Sequence, residues 1–310
     1  MKEPTRNYTG LLFLMTILFG LTYVAAKYAL QGLGVFQLIF ARYALAFVLL
    51  TVIFWKTRHR FKLERQDWKY FLLLTGIEPI GYFILETYGI RYTSPSSTSL
   101  IIATIPVFAM IFAIFILKEK PGWLAIVGMM ISFTGIYFIV RKQQVSYLAS
   151  NPLLGNSLTL LAAAAAGLYN CVARKLTMKY KPLVLTYYQS AAASFFFLPL
   201  GIIEYFWNPQ SYYINWKIGM SILYLSLGAS IFAYFILNYA LSKLEAGRVA
   251  IFSNFIPVVT IFASYFFFQE RLTLNQWLGA GLVFIGVMVT NSPSAFRKLN
   301  LLSQKIAGML

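Results

Sequence analysis

Charge is scarce in this chain, and histidine and cysteine are scarcer still. Only 11% of its 310 residues are charged, against about 25% in soluble domains, which is too little to cover a water-facing surface. The one histidine, His59, lies in the basic stretch 56–69, and the one cysteine, Cys171, sits beside an Ala-rich run. A lone cysteine excludes an internal disulfide and reads as a small packing residue. Neither an HExxH pattern nor a Cys/His cluster occurs, so a metal hydrolase is excluded, and no catalytic residue, metal or cofactor is expected. Long polar connectors are also missing, which leaves little room for soluble machinery.

Apolar residues take up the space: 59% of the chain is hydrophobic and the mean hydropathy is +0.70. Apolar runs fall near residues 9–30, 34–55, 69–90, 97–117, 122–140, 153–173, 183–204, 218–241, 247–268 and 274–291. Each is long enough to cross about 30 Å of hydrocarbon. The spacing predicts an all-α integral membrane protein of ten transmembrane helices with both termini on one side. The first run is longer than a signal-peptide core and lacks a small-residue cleavage site, so it reads as a retained helix.

The formal net charge of +17 raises nucleic acid as a partner. A nucleic-acid binder gathers its basic residues on a folded polar face, whereas here they sit in connectors between apolar runs, so none is expected. With the N-terminus inside, nineteen Lys and Arg fall on the cytoplasmic side, five on the other, and Lys27 and Arg42 within spans. That asymmetry orients the chain with cytoplasmic N- and C-termini. The default location is the inner (plasma) membrane of a bacterium.

Residues 105–135 and 256–286 align without a gap at a constant offset of 151, with eight identities: Ile105/Ile256, Pro106/Pro257, Val107/Val258, Phe115/Phe266, Glu119/Glu270, Gly128/Gly279, Phe133/Phe284 and Gly135/Gly286. FGLTYVAAK (19–27) matches AGLYNCVAR (166–174) more weakly, with Gly20/Gly167 and Lys27/Arg174 in register. The pattern predicts a duplication: a five-helix repeat over 1–145, a second over 146–292, and a cytoplasmic tail over 293–310. Five is odd, so the second copy enters from the opposite face, giving inverted-topology repeats around a central cavity, an arrangement found in many secondary transporters.

FGLTYVAAKYAL, ARYALAF, ETYGIRYTSPSSTSLIIATIPVF and the Pro-to-Glu spans ending KEK and QER, in that order and duplicated, resemble the drug/metabolite transporter superfamily, specifically its EamA-type members. The resemblance covers nearly the whole chain. It implies ten helices, cytoplasmic termini, a cavity between the halves, no ATP-binding module, and usually export of amino acids or other small metabolites. Proton exchange and facilitated diffusion both occur among such proteins. Cargo, direction, energetics and oligomeric state do not carry over.

Ionisable residues inside spans face a cavity or one another. Counting ~1.5 Å per residue, Glu78 falls near the midplane, Arg42 roughly 4 Å outward, and Glu86 and Lys27 roughly 10–11 Å outward, so all four can share the outer half of one cavity. In the functional reading Glu78 and Glu86 serve proton coupling or cation recognition, and Arg42 and Lys27 neutralise them or hold a carboxylate. In the structural reading they are packing ion pairs, and Lys27 snorkels to the interface. Tyr82 joins this candidate substrate site. So do the symmetric polar positions Thr22/Tyr169, Tyr23/Asn170 and Thr87/Asn238, and the residues before the helix-disrupting prolines, Thr104, Ser253 and Asn254. Interhelical hydrogen bonds are the bland alternative for the polar pairs. Lys27, Pro106, Glu119, Pro257 and Glu270 are assigned gating or structural roles. The expected function is secondary transport of a small molecule across the bilayer by alternating access, with protons as a candidate coupling ion. Lipid-like or drug-like cargo and a membrane-embedded enzyme are the alternatives.

Overall fold

The computed structural model describes residues 8–57, 64–116, 122–141, 143, 145–207, 213–243, 252 and 254–290. Among these, every apolar run is helical, and the extended backbone amounts to one isolated bridge between Ser146 and Ala149. The helices are α1 (Thr9–Ala29), α2 (Val35–Thr57), α3 (Trp68–Thr75), α4 (Tyr82–Tyr92), α5 (Pro95–Ile102), α6 (Ile105–Ile116), α7 (Trp123–Arg141), α8 (Pro152–Lys179), α9 (Pro182–Trp207), α10 (Trp216–Tyr224), α11 (Tyr234–Lys243), α12 (Ile256–Phe268) and α13 (Leu274–Thr290). Among the described residues, seven stretches are long and apolar enough to cross a membrane, while Ile256–Phe268 and Leu274–Thr290 are shorter apolar helices. Outward-facing Trp55, Phe115, Trp123, Phe206 and Phe262 are exposed, as befits a protein whose solvent is hydrocarbon.

Local chemistry explains where helices start and break. Asn151 and Asn215 accept hydrogen bonds from the backbone N–H groups of Leu154 (3.2 Å) and Ile218 (2.9 Å), which caps α8 and α10. The run expected as one helix over 69–90 is interrupted. Between α3 and α4 lies a wide turn, Gly76–Gly81, in which Glu78 leaves the helical region (φ −147°, ψ 123°). Pro79 follows it, lacks an N–H and pushes its predecessor toward extended backbone. A second wide turn, Leu225–Ala233, separates α10 from α11. The run 97–117 is likewise divided: α5 ends at Ile102 and α6 starts at Ile105, with Thr104 Oγ1 donating to the Ile101 carbonyl (2.6 Å) and Pro106 just beyond.

Lipid cannot satisfy stray polar backbone, and long side chains take over that task. Lys27 neither snorkels nor meets the acidic residues. It is 8% exposed, and its Nζ donates to the carbonyls of Ile90 (2.6 Å), Arg91 (3.1 Å) and Thr93 (2.8 Å). These lie at the C-terminal end of α4, where carbonyls have no intrahelical donor. The same logic runs in reverse at helix starts. Glu204 accepts from Val35 N (2.9 Å) and Gln37 N (3.1 Å) at the head of α2. Glu270 accepts from Ser96 N (3.3 Å) and Ser96 Oγ (2.8 Å) at the head of α5, and from Ser264 Oγ.

Helix pairing is close where glycines allow it. α7 packs along α13, α2 along α9, α1 on α12, and α8 on α4 and α6. In the α7–α13 seam a Cβ on Gly128 would meet the Gly286 carbonyl oxygen at 2.6 Å, and one on Gly135 the Gly279 oxygen at 2.7 Å, so the two backbones touch in an antiparallel pair. A Cβ on Gly20 of α1 would meet Val259 Cβ of α12 at 2.6 Å, and one on Gly167 of α8 would meet Phe108 Cβ of α6 at 2.7 Å. Side chains at such sites force helices apart.

Replacing Gly135 with Leu is expected to destabilise the protein by more than about 3 kcal/mol through overpacking against backbone. Gly281→Ala on the partner helix of that seam, where nothing lies within 4 Å of the added carbon, should be neutral or better; size-exclusion profiles after graded heating in detergent check both. Lys27→Met strips donors from three carbonyls and should destabilise by about 3 kcal/mol, read in the same assay.

Candidate functional site

The break at Pro79 turns Glu78 into the interior, where it is 5% exposed. Tyr234 of α11 donates its hydroxyl to Glu78 Oε1, and Gln189 of α9 donates Nε2 to the Glu78 carbonyl at 3.4 Å and to Tyr169 Oη of α8 at 3.1 Å. A small cavity, with about 10 Å³ of room for a water-sized molecule, opens beside this group. Tyr43, Glu78 and Pro79 line one side, and Thr186, Gln189, Ser190, Ser230 and Tyr234 the other.

Arg42 of α2, 3% exposed, borders the cavity through Ser230, to which its Nε donates at 3.0 Å. Its guanidinium also lies 4.5 Å from the Phe83 ring centroid and 5.3 Å from that of Tyr43, cation–π distances that help hold a charge away from water. Glu86, 3% exposed, accepts from the Tyr82 hydroxyl at 2.7 Å, one helical turn away. No N···O contact within 4 Å joins Arg42 to either carboxylate. The interior therefore holds one guanidinium and two carboxyls as neighbours rather than as ion pairs.

Polar clusters lie near both ends of α8. At the end where α8 finishes, Lys179 Nζ contacts Asp67 Oδ2 (2.6 Å) and Glu64 Oε2 (2.8 Å), while Tyr180 donates its hydroxyl to Asp67 Oδ2 (2.5 Å) and accepts from Glu64 N (3.1 Å). Lys179 lies beyond the apolar stretch Pro152–Asn170. The ammonium and the Gln66 amide hold the Glu64 carboxyl below its ordinary range, and the two carboxylates, Asp67 foremost, raise Lys179 well above the usual lysine value. At the opposite end amides and hydroxyls bond one another beside Lys27 and Glu270: Thr93 Oγ1 donates to Asn156 Oδ1 (2.9 Å), Asn156 Nδ2 to Gln143 Oε1 (2.7 Å), and Gln276 Nε2 to Ser97 Oγ (3.1 Å).

Of the candidates read from the sequence, Glu78, Arg42 and Tyr169 gather at or beside the cavity. Glu86, Tyr82 and Tyr23 form an adjoining buried group in which Tyr82 donates to Glu86. Lys27, expected with them, caps α4 instead. Thr22 bonds its own helix at Leu18 O (3.0 Å) and Thr104 bonds Ile101 O. Asn170 is half-buried, Asn238 is fully buried and donates to Thr186 Oγ1 (3.3 Å), and Asn254 is 4% exposed with neither amide atom partnered. Pro106 and Pro257 are buried at the starts of α6 and α12. Glu270 caps the start of α5. Ser253 and Glu119 lie outside the residues whose side chains are described.

Sequence reasoning missed Tyr43, Thr186, Gln189, Ser190, Ser230 and Tyr234, which with Glu78 make most of the cavity. The available signal was Gln189 followed by Ser190, an amide and a hydroxyl in an otherwise apolar span. Under the 147-residue offset that pairs Lys27 with Arg174, Gln189 is the counterpart of Arg42.

The model of the EamA-like transporter family matches the chain twice, over residues 8–141 and 153–292. The uncharacterized transporter YcxC of Bacillus subtilis is 30% identical over 283 residues, covering 90% of each chain. An uncharacterized transporter of Archaeoglobus fulgidus is 27% identical over 285 residues, covering 91% of this chain and 96% of its own. A solved crystal structure superposes with a TM-score of 0.64 at 12% identity, over 93% of this chain and 99% of the other, a likeness of fold alone. Two copies of one family pattern, spanning the charged interior and the seams that enclose it, identify this multi-pass membrane chain as a member of the EamA-like transporter family.

Proposed function

We propose that the chain carries a small polar metabolite, amino acids included, across the cytoplasmic membrane by alternating access, and that it works as an exporter. One observation carries the reading. Buried ionisable groups are costly in a membrane and mark substrate paths, and here the carboxyl of Glu78 is held by Tyr234 and flanked by Gln189, side chains from the two family-matched segments.

Ten spans in two inverted halves, 1–145 and 146–292, with cytoplasmic termini and a tail over 293–310, fit this reading. The glycine contacts support the inversion. Gly20 meets Val259 while Gly167 meets Phe108, and the offsets of 147 and 151 exchange each pair for the other. Gly128 and Gly135 meet Gly286 and Gly279, crosswise, as a two-fold axis in the membrane plane requires. The wide turns Gly76–Gly81 and Leu225–Ala233 also fall at matching places.

The cavity, with about 10 Å³ of room for a water-sized molecule, is far smaller than the roughly 300–1,000 Å³ of ligand sites. Cargo therefore enters when one end parts. The Lys179 cluster is the cytoplasmic latch in this scheme, and the Gln143–Asn156–Thr93 and Ser97–Gln276 bonds are the outer one. Glu78 and Glu86 are the proton-carrying groups, and Arg42 balances one of them.

Two tests follow. In proteoliposomes given labelled amino acids and small metabolites, wild type should show saturable uptake that responds to an imposed pH gradient, and Glu86→Gln should lower it at least tenfold, on the order of 1.4 kcal/mol, or abolish its pH dependence. Unchanged uptake at every pH removes Glu86 from coupling, and silence across the panel from folded protein points to lipid-like cargo. For the latch, Glu64 is depressed, so its contribution is complete above about pH 4.5 and lost as pH falls through its lowered value. Lys179 is raised, so its contribution is complete below about pH 10.5 and lost only above that. Trp68 fluorescence should hold from about pH 5 to 10 and change below about pH 4, with Lys179→Gln removing that acid transition.

A further inference from the structure

The tetrapeptide Tyr-Phe-Ile-Leu occurs twice, at 82–85 and 234–237, followed by Glu86 in the first copy and Asn238 in the second. The two copies stand 152 residues apart, and each opens a helix, α4 and α11. Equal sequence on equal backbone offers both tyrosines an acceptor four residues on, one helical turn away. They do not use it alike. Tyr82 donates to Glu86 at 2.7 Å. Tyr234 donates across the interior to Glu78, and Asn238 Oδ1, fully buried, has no hydrogen-bond partner. The other amide atom of Asn238 is satisfied, with Nδ2 donating to Thr186 Oγ1 at 3.3 Å.

Buried polar atoms are paired in the great majority of cases, and here the unfilled acceptor lies where the first copy makes its tyrosine bond. The charge of Glu78 decides which acceptor Tyr234 takes. A hydrogen bond to an ionised carboxylate is roughly twice as strong as one between neutral groups, enough to offset one unpaired amide oxygen. Protonation of Glu78 removes that advantage, while the penalty for the unpaired Asn238 oxygen stays. The phenol has room to move, since Tyr234 borders the cavity with its space for a water-sized molecule. The proton taken up also finds an acceptor. Ser190 borders the same cavity, and its Oγ, 1% exposed, makes no hydrogen bond. The other charged and titratable groups facing Glu78 and Tyr234 are Tyr23 from α1, Arg42 and Tyr43 from α2, Tyr82 and Glu86 from α4 and Tyr169 from α8, whereas α9 presents the neutral Gln189.

We propose that Tyr234 is a two-position donor governed by Glu78: its hydroxyl binds the carboxylate when Glu78 is ionised and turns to Asn238 Oδ1 when Glu78 takes a proton, keeping its own proton throughout. Glu78 and Tyr234 belong to the two family-matched segments, so proton uptake opens a bond between them. The inference deepens the coupling role given to Glu78 and rests on that reading, but its test reads stability and position rather than flux.

Melting temperatures of purified protein in detergent supply a double-mutant cycle of Tyr234→Phe and Asn238→Leu. The cycle is run at about pH 8 with Glu78 intact and again in the Glu78→Gln background, which holds that position neutral whatever its neighbours do. The Asn238–Thr186 bond is lost in every Asn238→Leu member and cancels. With Glu78 intact the two substitutions should add, because the residues are not bonded. In the Glu78→Gln background the pair should cost less than the sum by about 2 °C, the scale of one hydrogen bond. A structure of that variant should place Tyr234 Oη within about 3 Å of Asn238 Oδ1. Equal coupling in the two backgrounds, zero included, or a Tyr234 still bonded to residue 78 after Glu78→Gln, overturns the proposal. Should Glu78→Gln fail to fold, the cycle is run along a pH series with Glu78 intact: coupling should be absent at about pH 8 and present at the acid end, and coupling that does not change with pH overturns the switch. A silent transport panel leaves this result standing, and additivity here leaves transport standing.

Discussion

Every polar group this chain places in hydrocarbon has to find its partner within the chain, because lipid offers none. That constraint accounts for the charged residues better than any pairing of opposite signs. Lys27 and Glu270 are formally complementary, yet each spends its bonds on a helix end: the lysine on three carbonyls at the close of α4, the glutamate on an amide and two hydroxyls around the start of α5. Glu204 does the same for α2. A charge meeting several backbone dipoles is solvated by them, much as by water. Helices can therefore end inside the protein, and the breaks that shape the site become affordable.

Glu78, Arg42 and Glu86 differ from these because they finish no helix. Glu78 occupies the one position in the third span where Pro79 forbids ordinary helix, and the carbonyl freed by the break is met by Gln189 from the other family-matched segment. Arg42 is held by one serine and two aromatic faces, and Glu86 by one tyrosine. Such partial satisfaction is what a site that exchanges partners requires. The orphaned oxygens of Ser190 and Asn238 extend it to neutral groups.

Much of the fold was legible because membrane helices announce themselves by length and apolarity, and because Pro, Gly and capping residues mark their limits. The duplication was legible from Pro106/Pro257 and Gly128/Gly279, residue types with little freedom to drift. The site was legible only in its charges, since charge in an apolar span is conspicuous by itself. Ser190, Ser230 and Thr186 were not, because a hydroxyl in a helix satisfies itself on a carbonyl one turn back, as Thr22 and Thr104 do. Nothing in sequence distinguishes that use from a cavity-facing one. The exact place of Lys27 was not legible for a related reason: depth along a helix gives distance from the midplane but not azimuth, and azimuth turned it toward the end of α4 rather than the carboxyls.

The same packing separates parts of the molecule that hold from parts that yield. Along α7 and α13 backbone meets backbone at paired glycines, and neither helix can slide by a fraction of a turn without a carbonyl running into a Cα. Around the cavity the order is reversed. Half of the wall comes from elements interrupted at Gly76–Gly81 and Leu225–Ala233, where the helical hydrogen-bond ladder is already widened, and a small rotation there breaks few backbone bonds. The seam thus resists sliding, whereas the breaks that carry Glu78 and Ser230 have fewer regular helical bonds to lose.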